Sequence, residues 1–122
     1  MARTRGRRTW VFPDTELPPA GDSLLKGHES IIVLNMNRGA ARLVLTLYYT
    51  DRDPQILPAI EVQGERVRCI RLDNPRDLGA QVPLETQYAV RVRADRPVVV
   101  QYGRLDARQA NLAYYTTMGY AV

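Results

Sequence analysis

The stretch Ala41-Arg42-Leu43-Val44-Leu45-Thr46-Leu47-Tyr48-Tyr49-Thr50 decides the fold class. Leu43, Leu45, Leu47 and Tyr49 recur at every second position, so a strand here turns them to one face and Arg42, Val44, Thr46 and Tyr48 to the other. Glu85 to Arg93 repeats the pattern, with Tyr88, Val90 and Val92 opposite Ala89, Arg91 and Arg93. Outward from these two segments, turn formers punctuate the chain at Pro13, Pro18-Pro19, Gly27, Asn35 to Gly39, Asp51 to Pro54, Gly64, Asp73 to Gly79, Pro83 and Asp95 to Pro97. The short segments between them predict further strands at residues 9–12, 29–34, 56–62, 65–72, 97–103 and 113–120. Asp106 to Asn111 has room for one helical turn and no more. Eight or so short strands without a long helix predict an all-β chain, a β-sandwich of jelly-roll type in a single domain. The face bearing Val44, Thr46 and Tyr48 is too apolar to stay fully wet, which predicts a second sheet or a subunit against it.

With 122 residues, 45% of them hydrophobic and 25% charged, the chain has the size and balance of one soluble globular domain. No apolar run reaches the roughly 18–20 residues of a membrane helix, so no membrane insertion is expected. One histidine and one cysteine exclude a structural zinc site of Cys/His type and any disulfide framework. No metal or cofactor is expected, and a lone cysteine fits a reducing cytoplasm. Cys69, between Arg68 and Ile70, reads as a small buried hydrophobe.

The net charge is +4, and its position matters more than its size. Arg3, Arg5, Arg7 and Arg8 fall within the first eight residues, and the rest of the chain balances 13 basic against 13 acidic side chains. Residues 1–8 therefore read as a basic, mobile tail and residues 9–122 as the domain. Arg7-Arg8 has the lettering of a twin-arginine export signal, but Trp10-Val11-Phe12 is far shorter than the roughly 7–15 apolar residues such a signal needs. The alternative function for the tail is contact with nucleic-acid phosphates, which would make the protein a nucleic-acid-associated regulator.

The letters Gly21-Asp22-Ser23-Leu24 match an esterase nucleophile block. That chemistry needs a histidine oriented by a carboxylate, on an α/β scaffold, and the sole histidine is His28, five residues on. Asp51-Arg52-Asp53-Pro54 lacks the alternating oxygen ligands of a calcium loop and reads as a turn. A general base, a nucleophile and an oxyanion site cannot all be named, so the chain reads as no enzyme. Two clusters suit ligand binding instead. His28-Glu29 sets an imidazole beside a carboxylate at a strand start. Gln101 and Arg104-Leu105-Asp106-Ala107-Arg108-Gln109 follow the strand Val98-Val99-Val100, and their fork-shaped side chains suit bidentate recognition of a hydroxylated or anionic small molecule.

The run from Pro97 to Ala110, Pro-Val-Val-Val-Gln-Tyr-Gly-Arg-Leu-Asp-Ala-Arg-Gln-Ala, resembles the signature of the sensory rhodopsin transducer family. The resemblance extends through Trp10, Pro18-Pro19, His28-Glu29, Tyr48-Tyr49-Thr50-Asp51 and Arg71-Leu72, and so spans nearly all of the chain from Arg8 onward. It implies a jelly-roll sandwich assembled as a homotetramer that binds small molecules, sugars or sugar acids among them. A signalling partner is implied too, with a rhodopsin in one branch of the family only. On this reading the chain is a non-enzymatic, sugar-binding sensor or transducer subunit. Trp10 would stack on the ligand, while His28, Glu29, Gln101, Arg104, Asp106, Arg108 and Gln109 would hydrogen-bond it.

Overall fold

Among the described residues, runs of β-branched, aromatic and leucine residues between Gly, Pro and Asx breakers form nine strands and one short helix. A computed structural model describes residues 5–108 and 112–122. In chain order the elements are β1 (Arg7–Glu16), β2 (His28–Asn35), β3 (Ala41–Tyr49), β4 (Gln55–Ile56), β5 (Ile60–Val62), β6 (Arg66–Arg71), α1 (Pro75–Leu78), β7 (Gln87–Asp106), β8 (Ala113–Met118) and β9 (Tyr120–Ala121). The all-β expectation holds.

Strand β7 organises the molecule. Its first half pairs with β3 on one side and β1 on the other, giving a first sheet that continues to β4 and β5 beyond β3 and to β9 beyond β1. Its second half pairs with β2 and β8, giving a second sheet that continues to β6. Between Arg93, opposite Thr9, and Val98, opposite Arg7, four residues of β7 face one of β1. This irregularity lets one strand leave the first sheet and enter the second. Trp10 closes the gap, its indole Nε1–H donating to the Val98 carbonyl at 3.0 Å and the Arg7 carbonyl at 3.1 Å.

The core lies between the two sheets. Leu43, Leu45, Leu47, Val90 and Val92 from the first meet Ile31, Val33, Ile70, Val100 and Tyr102 from the second in one buried cluster. Each such aliphatic side chain contributes about 1.5–3 kcal/mol by leaving water. The second sheet thus covers the leucine face of β3. Val44 and Tyr48, on the opposite face, have no second sheet against them among the described residues and remain partly exposed.

Several sequence expectations shift. Asp95 to Pro97 is no turn but the bulged crossing within β7. The strand expected over 56–62 is split into β4 and β5, and Pro58, which has no N–H to donate, sits between them. Asp73 to Gly79 contains α1, capped by the Asn74 side chain, opened by Pro75 and closed by Gly79 in the left-handed region at φ 68°. Arg7 and Arg8 belong to β1 rather than to a tail, because Arg7 pairs with Val98. Cys69 is exposed, not buried: it alternates with Ile70 and so faces away from the core. The strand expected at 113–120 is β8 followed by β9. No helix among the described residues is long and apolar enough to cross a membrane.

Candidate functional site

The second sheet divides the expected ligand residues by face. Glu29 pairs directly with Arg104, which pairs in turn with Tyr115, so these three side chains share the inner face with Ile31 and Tyr102. His28 pairs with Leu105, and Gln101 with Ile32, on the outer face. His28 and Glu29 therefore point to opposite sides of the sheet and cannot hold one ligand together.

Glu29 is fully buried. Its carboxylate accepts from the Tyr88 hydroxyl at 2.6 Å, from the Tyr102 hydroxyl in a short contact, and from the Glu16 backbone N–H at 2.9 Å. Its own backbone carbonyl accepts from Leu72 N–H at 3.0 Å. A buried charge survives when donors surround it in this way. Burial, and then the neighbouring Glu29 carboxylate, holds both tyrosyl hydroxyls well above their ordinary range. Tyr88 and Glu16 belong to the first sheet, Tyr102 and Glu29 to the second, so the carboxylate pins the sheets together. Glu29 has no polar group left for a ligand, which corrects the sequence expectation.

Trp10 is 7% exposed and its N–H is committed to backbone carbonyls, so its ring packs the core and does not present a stacking surface. His28 is half-buried and donates Nδ1–H to the Lys26 carbonyl at 2.8 Å, and its Nε2, on the outer face, bonds nothing among the described residues. Nearby Arg71 grips Asp73 through Nε and Nη2, both at 2.8 Å. Burial resists ionisation of Asp73, but the Arg71 hydrogen bonds and charge outweigh it and hold the carboxyl below its ordinary range.

At the end of β7 the expected cluster does assemble. Asp106 accepts from Arg104 Nη2 at 3.3 Å and from Arg108 Nε at 3.0 Å, while its Oδ1 also takes the Arg108 backbone N–H at 3.1 Å. The Arg108 bonds, side chain first and backbone second, hold the Asp106 carboxyl far below the usual carboxylate range. Glu85 stands 3.9 Å from Arg108 at the rim. Arg104 and Asp106 side chains are 15% and 14% exposed and Arg108 44%, so the chain of charges runs from the sheet interior to solvent. The loop from β1 to β2 packs against it. Gly21, at φ +78°, lies so close that an added Cβ would stand 2.3 Å from the Ala107 carbonyl oxygen. Gln109 and Arg3 lie outside the described residues.

Sequence reasoning missed Tyr88, Tyr102 and Tyr115 as parts of this end. Tyr102 stacks obliquely between Phe12 and Tyr115, each ring centre 6.1 Å from its own. Their signal was parity: Tyr88, Val90, Val92, Val98, Val100 and Tyr102 are all buried at even positions, so the inward phase survives the bulge. Among the described residues no three His, Cys, Asp or Glu side chains gather as a metal site.

A family model described as Anabaena sensory rhodopsin transducer matches residues 5–121. The crystal structure of Thermotoga maritima 1070 is similar with a TM-score of 0.88 and 28% identity, over 98% of this chain and 97% of that one. The Anabaena sensory rhodopsin transducer itself is similar with a TM-score of 0.71 and 27% identity, over 83% of this chain and 99% of that one. No curated protein sequence matches.

Proposed function

The chain belongs to the Anabaena sensory rhodopsin transducer family, and we propose that it works as a non-enzymatic, small-molecule-binding subunit of a soluble, cytoplasmic signal transducer. The observation that carries this reading is the graded charge chain Arg104–Asp106–Arg108 at the end of β7, half open to solvent and anchored in the sheet. Guanidinium forks around one carboxylate complement the neighbouring hydroxyls and carboxylate of a sugar or sugar acid. No catalytic role is part of this reading; Ser23 Oγ accepts from Leu25 N–H and the His28 ring bonds the Lys26 carbonyl.

A homotetramer is part of the reading. The outer face of the second sheet exposes Leu34 at 38%, Val67 at 64%, Met118 at 52% and Tyr114 at 68%, more apolar surface than one strand edge explains. Every residue of β8 is exposed, and such an edge invites pairing with another copy. Light scattering should give about four times 13.8 kDa, and a monomer at micromolar concentration removes this part. A signalling partner, a rhodopsin or another protein, would read the liganded tetramer, provided ligand binds its two states with different affinity.

The site is tested by a thermal-shift screen of sugars and sugar acids. A ligand at ten times its dissociation constant stabilises the fold by about 1.4 kcal/mol, a rise of roughly 4–8 °C in a domain of this size. Asp106→Asn keeps the shape and should abolish that rise while leaving the unliganded midpoint within a few degrees. If no sugar shifts the wild type and the variant melts much earlier, the cluster is scaffold and the reading fails.

A further inference from the structure

Of the fifteen arginines among the described residues, five reach a carboxylate and ten do not, and three of the ten converge on one place. Arg52, Arg68, Arg71, Arg104 and Arg108 each reach a carboxylate within 4.0 Å. Arg8, Arg42 and Arg93 do not: among the described residues their side chains meet no carboxylate at that distance, and none of their guanidinium groups donates a hydrogen bond to the protein. These three come from three different strands and line one concavity of about 490 Å³ on the outer face of the first sheet.

The fold explains their convergence. Arg93 pairs with Val44 on one flank and Thr9 on the other, which puts it at the centre. Arg42 precedes Val44 by two residues on the same face of β3. Arg8 sits in the irregular stretch of β1 between Arg7 and Thr9, where the register shift re-aims its side chain into the concavity. Asp95 is the one acidic residue in the lining, and its Oδ1 is taken by the Arg42 backbone N–H at 2.8 Å. Glu61, across from Arg42 on β5, is held by Gln63 at 2.8 Å. Arg91 lies two residues before Arg93, one outward-facing step of about 7 Å away. Its Nε is buried and has no hydrogen-bond partner among the described residues.

Three guanidinium groups against one carboxylate leave two positive charges in excess within the lining. Each guanidinium carries a rigid fork of donors shaped for phosphate oxygens. A phosphate monoester carries about −1.5 to −2 charges at pH 7, which balances that excess. A concavity lined from three strands gathers donors onto a compact anion, whereas a polymer backbone is tracked by an extended stripe. We propose that the Arg8–Arg42–Arg93 concavity is a binding site for a small phosphorylated molecule, separate from the Arg104–Asp106–Arg108 cluster.

The test is calorimetric titration of the full chain with inorganic pyrophosphate, ionic strength being held constant with sodium chloride. Saturable binding is expected at one site per chain. Arg42→Gln and Arg93→Gln should each weaken it at least tenfold. Arg93→Lys, which keeps the charge and loses the fork, should fall between them and the wild type. Arg66→Gln, on the far sheet, and Arg108→Gln should leave it unchanged. Absence of binding overturns the proposal, as does equal weakening by Arg66→Gln or Arg108→Gln. A duplex DNA that binds through Arg42 and Arg93 while pyrophosphate does not would also overturn it, in favour of a polymer surface.

Discussion

Removing the Tyr102 hydroxyl is the sharpest probe of the buried carboxylate. Tyr102→Phe leaves the ring against Phe12 and Tyr115 and deletes one of three donors to Glu29. A hydrogen bond to a charged group contributes about 1.5–3 kcal/mol, and here no water replaces it, since Glu29 is 0% and Tyr102 1% exposed. At roughly 4 °C per kcal/mol the midpoint should fall by about 6–12 °C. Tyr88→Phe should cost a similar amount, and the double variant more than the sum, because the carboxylate then keeps the Glu16 N–H alone. Urea melts of the two single variants and the double variant give the coupling directly. Tyr115→Phe is the control: its side chain is half exposed and should cost less than about 0.5 kcal/mol. A Tyr102→Phe loss no larger than that of the control would refute the claim that Glu29 pins the sheets.

Three further outcomes follow from the same geometry. Tyr88 and Tyr102 have raised hydroxyls in the folded state, so the unfolded chain ionises first; stability should be flat below about pH 9 and fall above pH 10, by up to about 1.4 kcal/mol per pH unit for each tyrosine. Urea melts between pH 8 and 11 check this, and a flat profile contradicts it. Gly21→Ala must strain a positive φ and push its Cβ against the Ala107 carbonyl, costing about 1–3 kcal/mol, whereas Gly103→Ala meets Ile32 Cδ1 at an ordinary 3.5 Å and should be tolerated in chemical denaturation. The Cys69 thiol lies on the outer face of β6 two residues from Val67, so a maleimide should label it more slowly in the native tetramer than in urea; labelling at the urea rate would exclude β6 from the subunit interface.

What the sequence made legible was period. The alternation in Ala41 to Thr50 identified β3 and its buried leucines, and the alternation beginning at Tyr88 identified the first half of β7. What it hid was continuity across breakers. Asp95-Arg96-Pro97 carries turn-forming residues, yet a bulge tolerates a missing N–H, so the strand runs on and changes sheets. Residue type misled where parity would have served. Cys69 reads as core by hydrophobicity but stands out of phase with buried Ile70. Trp10 reads as a ligand platform, yet it is in phase with buried Phe12. His28 and Glu29 read as one site because they are adjacent, and adjacency in a strand sends side chains to opposite faces. The Asp106 cluster was legible because its residues alternate, Arg104 with Asp106, and so share a face.

The same parity explains why an ionisable residue occupies the middle of an otherwise apolar interface. Ile31, Val33 and Val100, on the inward side of the β2–β7 pairing, are aliphatic and would tolerate a slipped pairing nearly as well as the native one. Glu29 removes that tolerance. A one-residue slip of β2 against β7 would turn Glu29 outward and His28 inward, burying an imidazole and leaving the Tyr88 and Tyr102 hydroxyls without their acceptor. Both tyrosines lie on β7, 14 residues apart on either side of the crossing, so Glu29 can accept from both only when the strand bends between Arg93 and Val98. Glu29, together with buried Asn35 at the other end of β2, thus ties the register of the second sheet to the angle between the sheets. Arg104 pairs with that residue directly, two positions from Asp106. The charge chain that ends in Arg108 therefore stands on the most strictly registered point of the fold, which is what a site of converging side chains requires.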